Sequence, residues 1–160
     1  MYLGGYCPGC GGGEGNQSCA IARCSLEQNV EFCCHCPAYP CARYEGLDAY
    51  DSFVSTRNRR ENLEKIRTLG PETCRSELME KAHLLDRLLT HYNAGRQKSL
   101  FAIAADLLDL EDLRSVMEQL EAETVDAPVK ERAAAAMHLL QETAARRGLK
   151  LKLRKKPKTR

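Results

Sequence analysis

The chain has 160 residues, 43% hydrophobic and 29% charged, with nine cysteines, no tryptophan and a net charge of +2. That length suits one domain, or one domain with a small module attached. No stretch approaches the ~20 apolar residues of a membrane span, so no membrane partner is expected. Residues 1–5 have neither a basic n-region nor an apolar run; no secretory signal is read there, and the expected location is cytoplasmic.

Eight of the nine cysteines lie between Cys7 and Cys41. The larger apolar residues of that stretch are Ile21, Leu26, Val30, Phe32 and Tyr39. That is too little apolar surface to hold a fold without a staple. In a reducing compartment clustered cysteines point to metal before disulfides, and an odd count suits a closed disulfide framework poorly.

Cys7-Pro8-Gly9-Cys10-Gly11 reads as a zinc knuckle. Two thiolates converge on one ion, and a glycine after the second cysteine permits a positive φ. Residues 11–16 are a glycine-rich loop without helix or strand pattern. Ser18 to Gln28 reads as one or two helical turns carrying Cys19 and Cys24. Cys33-Cys34-His35-Cys36 repeats the two-residue spacing, and Cys41 follows. The regular ligand candidates are therefore Cys7, Cys10, Cys19, Cys24, Cys33, Cys36 and Cys41, seven in all. Seven is one short of two tetrahedral four-ligand sites, and Cys34 and His35 compete for the eighth place. One ion or two, and the pairing of ligands, stay open. Zinc is the expected cofactor, since a thiolate-dominated set suits a closed structural site. An iron–sulfur cluster, which also takes four thiolates, is the alternative.

The chain resembles the bacterial and archaeal proteins grouped as the domain of unknown function 3795. The residues that carry the resemblance are Tyr6-Cys7-Pro8-Gly9-Cys10, the run from Ser18-Cys19 through Ile21-Ala22-Arg23-Cys24, and Phe32-Cys33 through Cys36 to Tyr39-Pro40-Cys41. It continues through Tyr44-Glu45-Gly46, Asp51-Ser52-Phe53, Tyr92-Asn93 with Gly95-Arg96, and Leu151-Lys152-Leu153-Arg154. The resemblance implies a zinc-binding cysteine-rich module and no established activity. Against that pattern Cys34 is extra, and Ala102 stands where similar proteins often carry a cysteine.

After Cys41 the pattern turns helical. Tyr44, Leu47 and Tyr50 recur every third residue in a short amphipathic turn from Ala42 to Asp51. A helix is expected over Thr56–Leu69, with Arg60–Glu64 and Glu61–Lys65 paired at i, i+4 and Leu63, Ile66 and Leu69 facing inward. Gly70-Pro71 ends it and opens the longest helix, to about Asn93, with a stripe of Leu78, Ala82, Leu85, Leu89 and Tyr92, widened by Leu84 and Leu88. Asn93-Ala94-Gly95 is a stop. Ser99–Leu108 is a nearly all-apolar central helix. Asp109 and Asp112 open the next, to about Ala122. Asp126 is read as the cap of a last helix whose buried stripe is Val129, Ala133, Met137, Leu140 and Ala144, ended by Arg146, Arg147 and Gly148. Leu149 to Arg154 alternates with period two, as an edge strand would, and the last six residues are expected to be disordered.

The fold class expected is mainly α: a small irregular cysteine-rich metal module, residues 1–45, packed on an α-helical domain, residues 46–150, with a basic tail, 151–160. Nine Lys and Arg and no acid fall between Arg146 and Arg160, so the preceding 145 residues carry −7. A basic stretch beside a zinc module suits phosphate contacts, which makes nucleic acid the candidate partner through the tail, with an unspecified macromolecule otherwise. No aromatic residue interleaves with the tail to stack on bases. His83 and His91 lie two turns apart, too far to share an ion, and like His138 read as surface residues. Cys74 reads as a small half-buried apolar residue. No nucleophile–base pair, phosphate loop or paired carboxylates stand out. The reading is a non-enzymatic interaction module with structural zinc. The alternative is a thiol- or iron–sulfur-dependent redox protein or a metal-dependent enzyme.

Overall fold

The computed structural model describes residues 19–51 and 55–157. The Cys7–Cys10 knuckle, the glycine-rich loop, Ser52-Phe53 and the last three residues of the tail lie outside the described residues. Six helices follow in order: α1 Ala20–Glu27, α2 Arg59–Leu69, α3 Pro71–His91, α4 Lys98–Leu107, α5 Leu110–Glu123 and α6 Val129–Arg146. Two single 3-10 turns, Cys33–His35 and Ala42–Tyr44, lie between α1 and α2. The molecule is mainly helical, with no strand among the described residues.

α3 is the axis of the bundle and packs against α2, α4, α5 and α6. Its C-terminal half supplies Leu84, Leu85 and Leu88, and Tyr92 follows just beyond the helix, all buried. α4 is buried almost all round, through Phe101, Ile103, Ala104, Ala105 and Leu107, as a short, nearly all-apolar helix must be. α5 packs on α3 and α6 and brings Leu113, Val116, Met117 and Leu120 to the core, one helical stripe at i, i+3, i+4 and i+7. α6 presents small residues, Ala133, Ala136 and Ala144, around Leu140 and Thr143.

Turn chemistry sets the helix breaks. Gly70 joins α2 to α3 with φ +87°, a conformation that a side chain would strain, and Pro71 then takes the first position of α3. After α3, the Asn93 carboxamide oxygen accepts from the amides of Gly95 (3.0 Å) and Gln97 (3.3 Å) and starts α4. At the end of α6, the amide of Leu149 donates to the carbonyl of Ala144 (2.8 Å) across Gly148, which has φ +68°.

Several expectations are corrected. Leu69 is 60% exposed, because it is the last residue of α2 and the chain turns away at Gly70. Leu78 and Ala82 of the expected stripe are exposed, because open clefts border them, while Leu84, Leu85, Leu88 and Tyr92 of it are buried. Val129 opens α6 on the surface at 42% exposure, and the residue before the helix is Pro128, not Asp126. Arg60 does not pair with Glu64. It reaches Asp48 (2.9 Å), while Glu64 pairs with Arg67; Glu61–Lys65 does form, at 3.8 Å. Cys74 is buried outright, at 5% exposure.

Leu149 to Arg154 keeps its alternation without becoming a strand. Leu149 and Leu151 pack on the core, and Lys150, Lys152 and Arg154 are exposed. The carbonyls that a neighbouring strand would have paired are taken by one side chain. Arg57 Nη1 donates to Lys150 O (3.0 Å) and Nη2 to Lys152 O (2.9 Å). Asp51 completes the latch. Its amide donates to Arg154 O (2.8 Å), and its carboxylate accepts from the amides of Arg154 (2.8 Å) and Thr56 (3.2 Å). Arg57 and Arg154 stand 3.6 and 3.7 Å from that carboxylate, whose side chain is fully buried. Burial alone would push the Asp51 carboxyl up, but those amides and the two guanidinium charges hold it below its ordinary value.

Candidate metal centre

The cysteine segment packs against α2 through its Cys33–His35 turn. α1 begins at Ala20 with Cys19 as the residue before it, and carries Cys24. The next cysteines are set by backbone turns. His35 N donates to Phe32 O, Cys36 N to Cys33 O and Tyr39 N to Cys36 O, each at 3.0 Å. After Cys41 the amide of Tyr44 closes on Cys41 O (3.0 Å) and begins the second 3-10 turn.

These turns bring four cysteines to one cavity. Cys24, Cys33, Cys36 and Cys41 line one narrow cavity of about 30 Å³, floored by Ile21, Val30, Tyr39 and Tyr44. Of the seven regular candidates, then, four share a cavity. Cys19 is not among its lining residues: it stands five residues before Cys24, about 140° around a helix at ~3.6 residues per turn. Cys7 and Cys10 lie outside the described residues. Neither rival for the eighth place lines the cavity. Burial pushes the Cys34 thiol up, and exposed His35 sets its ring edge-on to Phe32, 5.8 Å between centroids. Cys24, Cys33, Cys34, Cys36, Cys41 and Cys74 are in no disulfide.

Tyr44 is the keystone of this region, packing the cysteine segment against the rest as its aromatic spacing suggested, while the bond to Cys33 was not legible in the sequence. It is 3% exposed. Burial pushes its hydroxyl well above the ordinary tyrosine range, and a hydrogen bond to Cys33 adds to the rise. Its ring meets Tyr39 edge-to-face at 5.5 Å. Arg60 lies over it at 5.7 Å and donates to its carbonyl (2.7 Å). Tyr44 thus joins a candidate ligand to α2. The signal available in the sequence was the aromatic spacing of Tyr44 with Leu47 and Tyr50. Among these Tyr44 is buried, Leu47 half-buried and Tyr50 exposed.

The donor set fits zinc in kind: four cysteines line one cavity, Tyr44 is hydrogen-bonded to one of them, and there is no carboxylate among the described lining residues. As the side chains stand, no three Cys, His, Asp or Glu among the described residues converge tightly enough to grip an ion. Residues 3–46 match the family model described as a protein of unknown function, DUF3795, the family that the cysteine pattern resembles. Neither a curated protein nor a solved structure matches the chain. No helix among the described residues is long and apolar enough to cross a membrane.

Proposed function

We propose that the cysteine segment holds structural zinc and that the chain is a non-enzymatic interaction module. The observation that carries this reading is the single cavity shared by Cys24, Cys33, Cys36 and Cys41. Four thiolates suit a closed tetrahedral site with no position left for a substrate. When bound, the ion supplies cross-links to a segment in which Tyr44 alone is buried from Cys19 to Tyr50. Cys7 and Cys10 remain candidates for a second ion, with Cys19.

The test is elemental analysis of the purified native chain together with X-ray absorption. Zinc at one or two ions per chain in an all-sulfur shell is expected, with one ion lost in the Cys33→Ser/Cys36→Ser variant. A coloured, iron-containing protein after anaerobic purification would move the assignment to an iron–sulfur cluster. A folded chain free of metal would end the reading.

For the partner, one observation favours nucleic acid. Lys150, Lys152 and Arg154 are exposed on a stretch whose backbone is tied to the body by Arg57 and Asp51, and exposed Lys155 and Lys156 follow it. A fixed row of cations suits phosphate contacts whose strength falls with salt. Salt-sensitive RNA retention by the full chain, weakened when Lys150, Lys152, Lys155 and Lys156 become Gln, is the expected result. No retention at low salt would remove nucleic acid as the partner.

A further inference from the structure

A cleft of about 310 Å³ runs between α3 and α4, with no cysteine among its described lining residues. Leu78, Ala82, Leu85, Ala102 and Ala105 give it apolar walls. Two ionisable side chains stand among them, Lys81 on α3 and Asp106 on α4. Lys81 is 7% exposed, a depth at which lysine is rarely found without close pairing. Its ion pair, to Glu77, is long at 3.8 Å, and Glu77 is already held by Lys65 at 3.0 Å. Oδ2 of Asp106 is sealed from solvent without a hydrogen-bond partner among the described residues, with Ser55 against the same carboxyl. A cleft of this size, apolar but for a few converging polar groups, is the usual form of a small-molecule site, and an unpartnered buried oxygen calls for an explanation.

Burial drives both groups toward their uncharged forms. It pushes the Lys81 ammonium down and the Asp106 carboxyl up. Lys81 and Asp106 line the same cleft, and each is shifted toward the form, amine or carboxylic acid, that imine formation uses.

We propose that the α3–α4 cleft binds small uncharged aldehydes and that Lys81 captures them reversibly as an imine, with Asp106 handling the proton. Lys81 Nζ bonds to the carbonyl carbon, the C=O π pair moves to oxygen, and a proton passes from nitrogen to that oxygen. The carbinolamine C–O bond then breaks. The oxygen leaves as water with a proton from Asp106, the nitrogen lone pair closes the C=N bond, and the remaining N–H proton returns to Asp106. Amine and aldehyde give imine and water, with no oxidant, reductant or metal consumed. The ligand is uncharged because Lys81 is the one cation among the described lining residues, and the cations behind them are already engaged, Lys65 by Glu77 and Arg57 by Asp51 and the carbonyls of Lys150 and Lys152. A 2-oxo acid would bury its carboxylate there unpaired.

The test uses the intact chain, butanal and cyanoborohydride, which fixes an imine as a secondary amine, with peptide mapping by mass spectrometry. Lys98 and Lys130, both exposed, serve as internal references. Lys81 is expected to be trapped at least about tenfold faster than either, in a saturable way, as befits an amine with a positioned proton donor. Asp106→Asn is expected to lose that excess while the reference rates stay fixed and the helical circular dichroism is unchanged. Should that variant unfold, Ala102→Leu, which fills the cleft and keeps both ionisable groups, is expected to block trapping at Lys81. Lys81 modified no faster than the references, or unaffected by Ala102→Leu, overturns the proposal. An equal excess with pyruvate overturns the uncharged-ligand assignment.

Discussion

The helical body and the cysteine segment answer the same problem in different ways. α4 alone buries five residues, Phe101, Ile103, Ala104, Ala105 and Leu107, and neighbouring helices close over them. From Cys19 to Tyr50, a stretch three times as long, Tyr44 is the one buried residue. The hydrophobic effect scales with apolar area removed from water. The body therefore has the means to hold itself together, and the segment depends on something else, either thiol-bound metal or its docking on α2. The comparison predicts that each region fails by its own route.

The largest effect is expected from metal removal. Structural zinc binding is worth on the order of 10 kcal/mol, and in small modules it is inseparable from folding. Chelation should release amide protection from Cys19 to Tyr44 while α3 to α6 keep theirs, as read by hydrogen exchange. Unchanged protection in the cysteine segment would break the comparison, since the segment would then be standing on its own. The matching lesion in the body is Phe101→Ala, at a side chain with no exposed surface. It is expected to cost about 3–5 kcal/mol, measured by denaturant unfolding, without changing metal content.

The two regions also differ in how far their sequence could be read. The body's helices follow from the 3.6-residue pattern and from breaks at Gly70-Pro71 and Asn93–Gly95. Periodicity gave α3 one broad stripe, Leu78–Ala82–Leu85–Leu89–Tyr92 widened by Leu84 and Leu88, and could not show that Leu78 and Ala82 stay exposed, because only the neighbours decide that. α4, α5 and α6 gather on the C-terminal half, leaving Leu78 and Ala82 on a cleft. Lys81 carried a usable signal: it lies three, four and seven residues before Leu84, Leu85 and Leu88, on the buried face. Asp106, set between Ala105 and Leu107 in the most apolar helix, carried another. The alternation of Leu149 to Arg154 was legible as an inside and an outside, but not as a strand, because Arg57 rather than a second strand takes its carbonyls. In the cysteine segment the spacing named candidate ligands. It could not show that Cys24, Cys33, Cys36 and Cys41 share a cavity while Cys34 and His35 do not, because that grouping depends on how α1 sits against the 3-10 turns.

Asp51 tests the seam between the regions, where the chain leaves the segment and meets the C-terminal stretch. Asp51→Ala leaves Arg57 and Arg154 facing each other without their buried counter-charge, and is expected to cost about 3 kcal/mol at neutral pH. The sign of the pH dependence follows from the depressed carboxyl. Its stabilisation is present above the ordinary value of 3.8 and is lost as pH falls through the lower folded value. The gap in stability between the native chain and the variant should therefore narrow in acid below that point. A gap that stays constant, or widens, would mean that the latch is held by packing of Leu149 and Leu151 rather than by charge.

The smallest effect sharpens the comparison most, because it separates the two supports of the cysteine segment. Tyr44 contributes both a packed ring, wedged between Tyr39 and Arg60, and a hydroxyl bonded to Cys33. Tyr44→Phe keeps the ring and removes the hydroxyl, a change of about 1 kcal/mol in stability for one hydrogen bond. If Cys33 is a metal ligand, that hydroxyl also orients and stabilises its sulfur, and losing such a partner typically weakens metal binding by about tenfold or more. Competition with a chelator should then show weaker zinc retention in Tyr44→Phe, while Tyr39→Phe, whose ring packs on Tyr44 without that bond, should retain zinc as the native chain does. Equal retention by both variants would assign Tyr44 to packing alone and leave the sulfur cavity without its hydroxyl support.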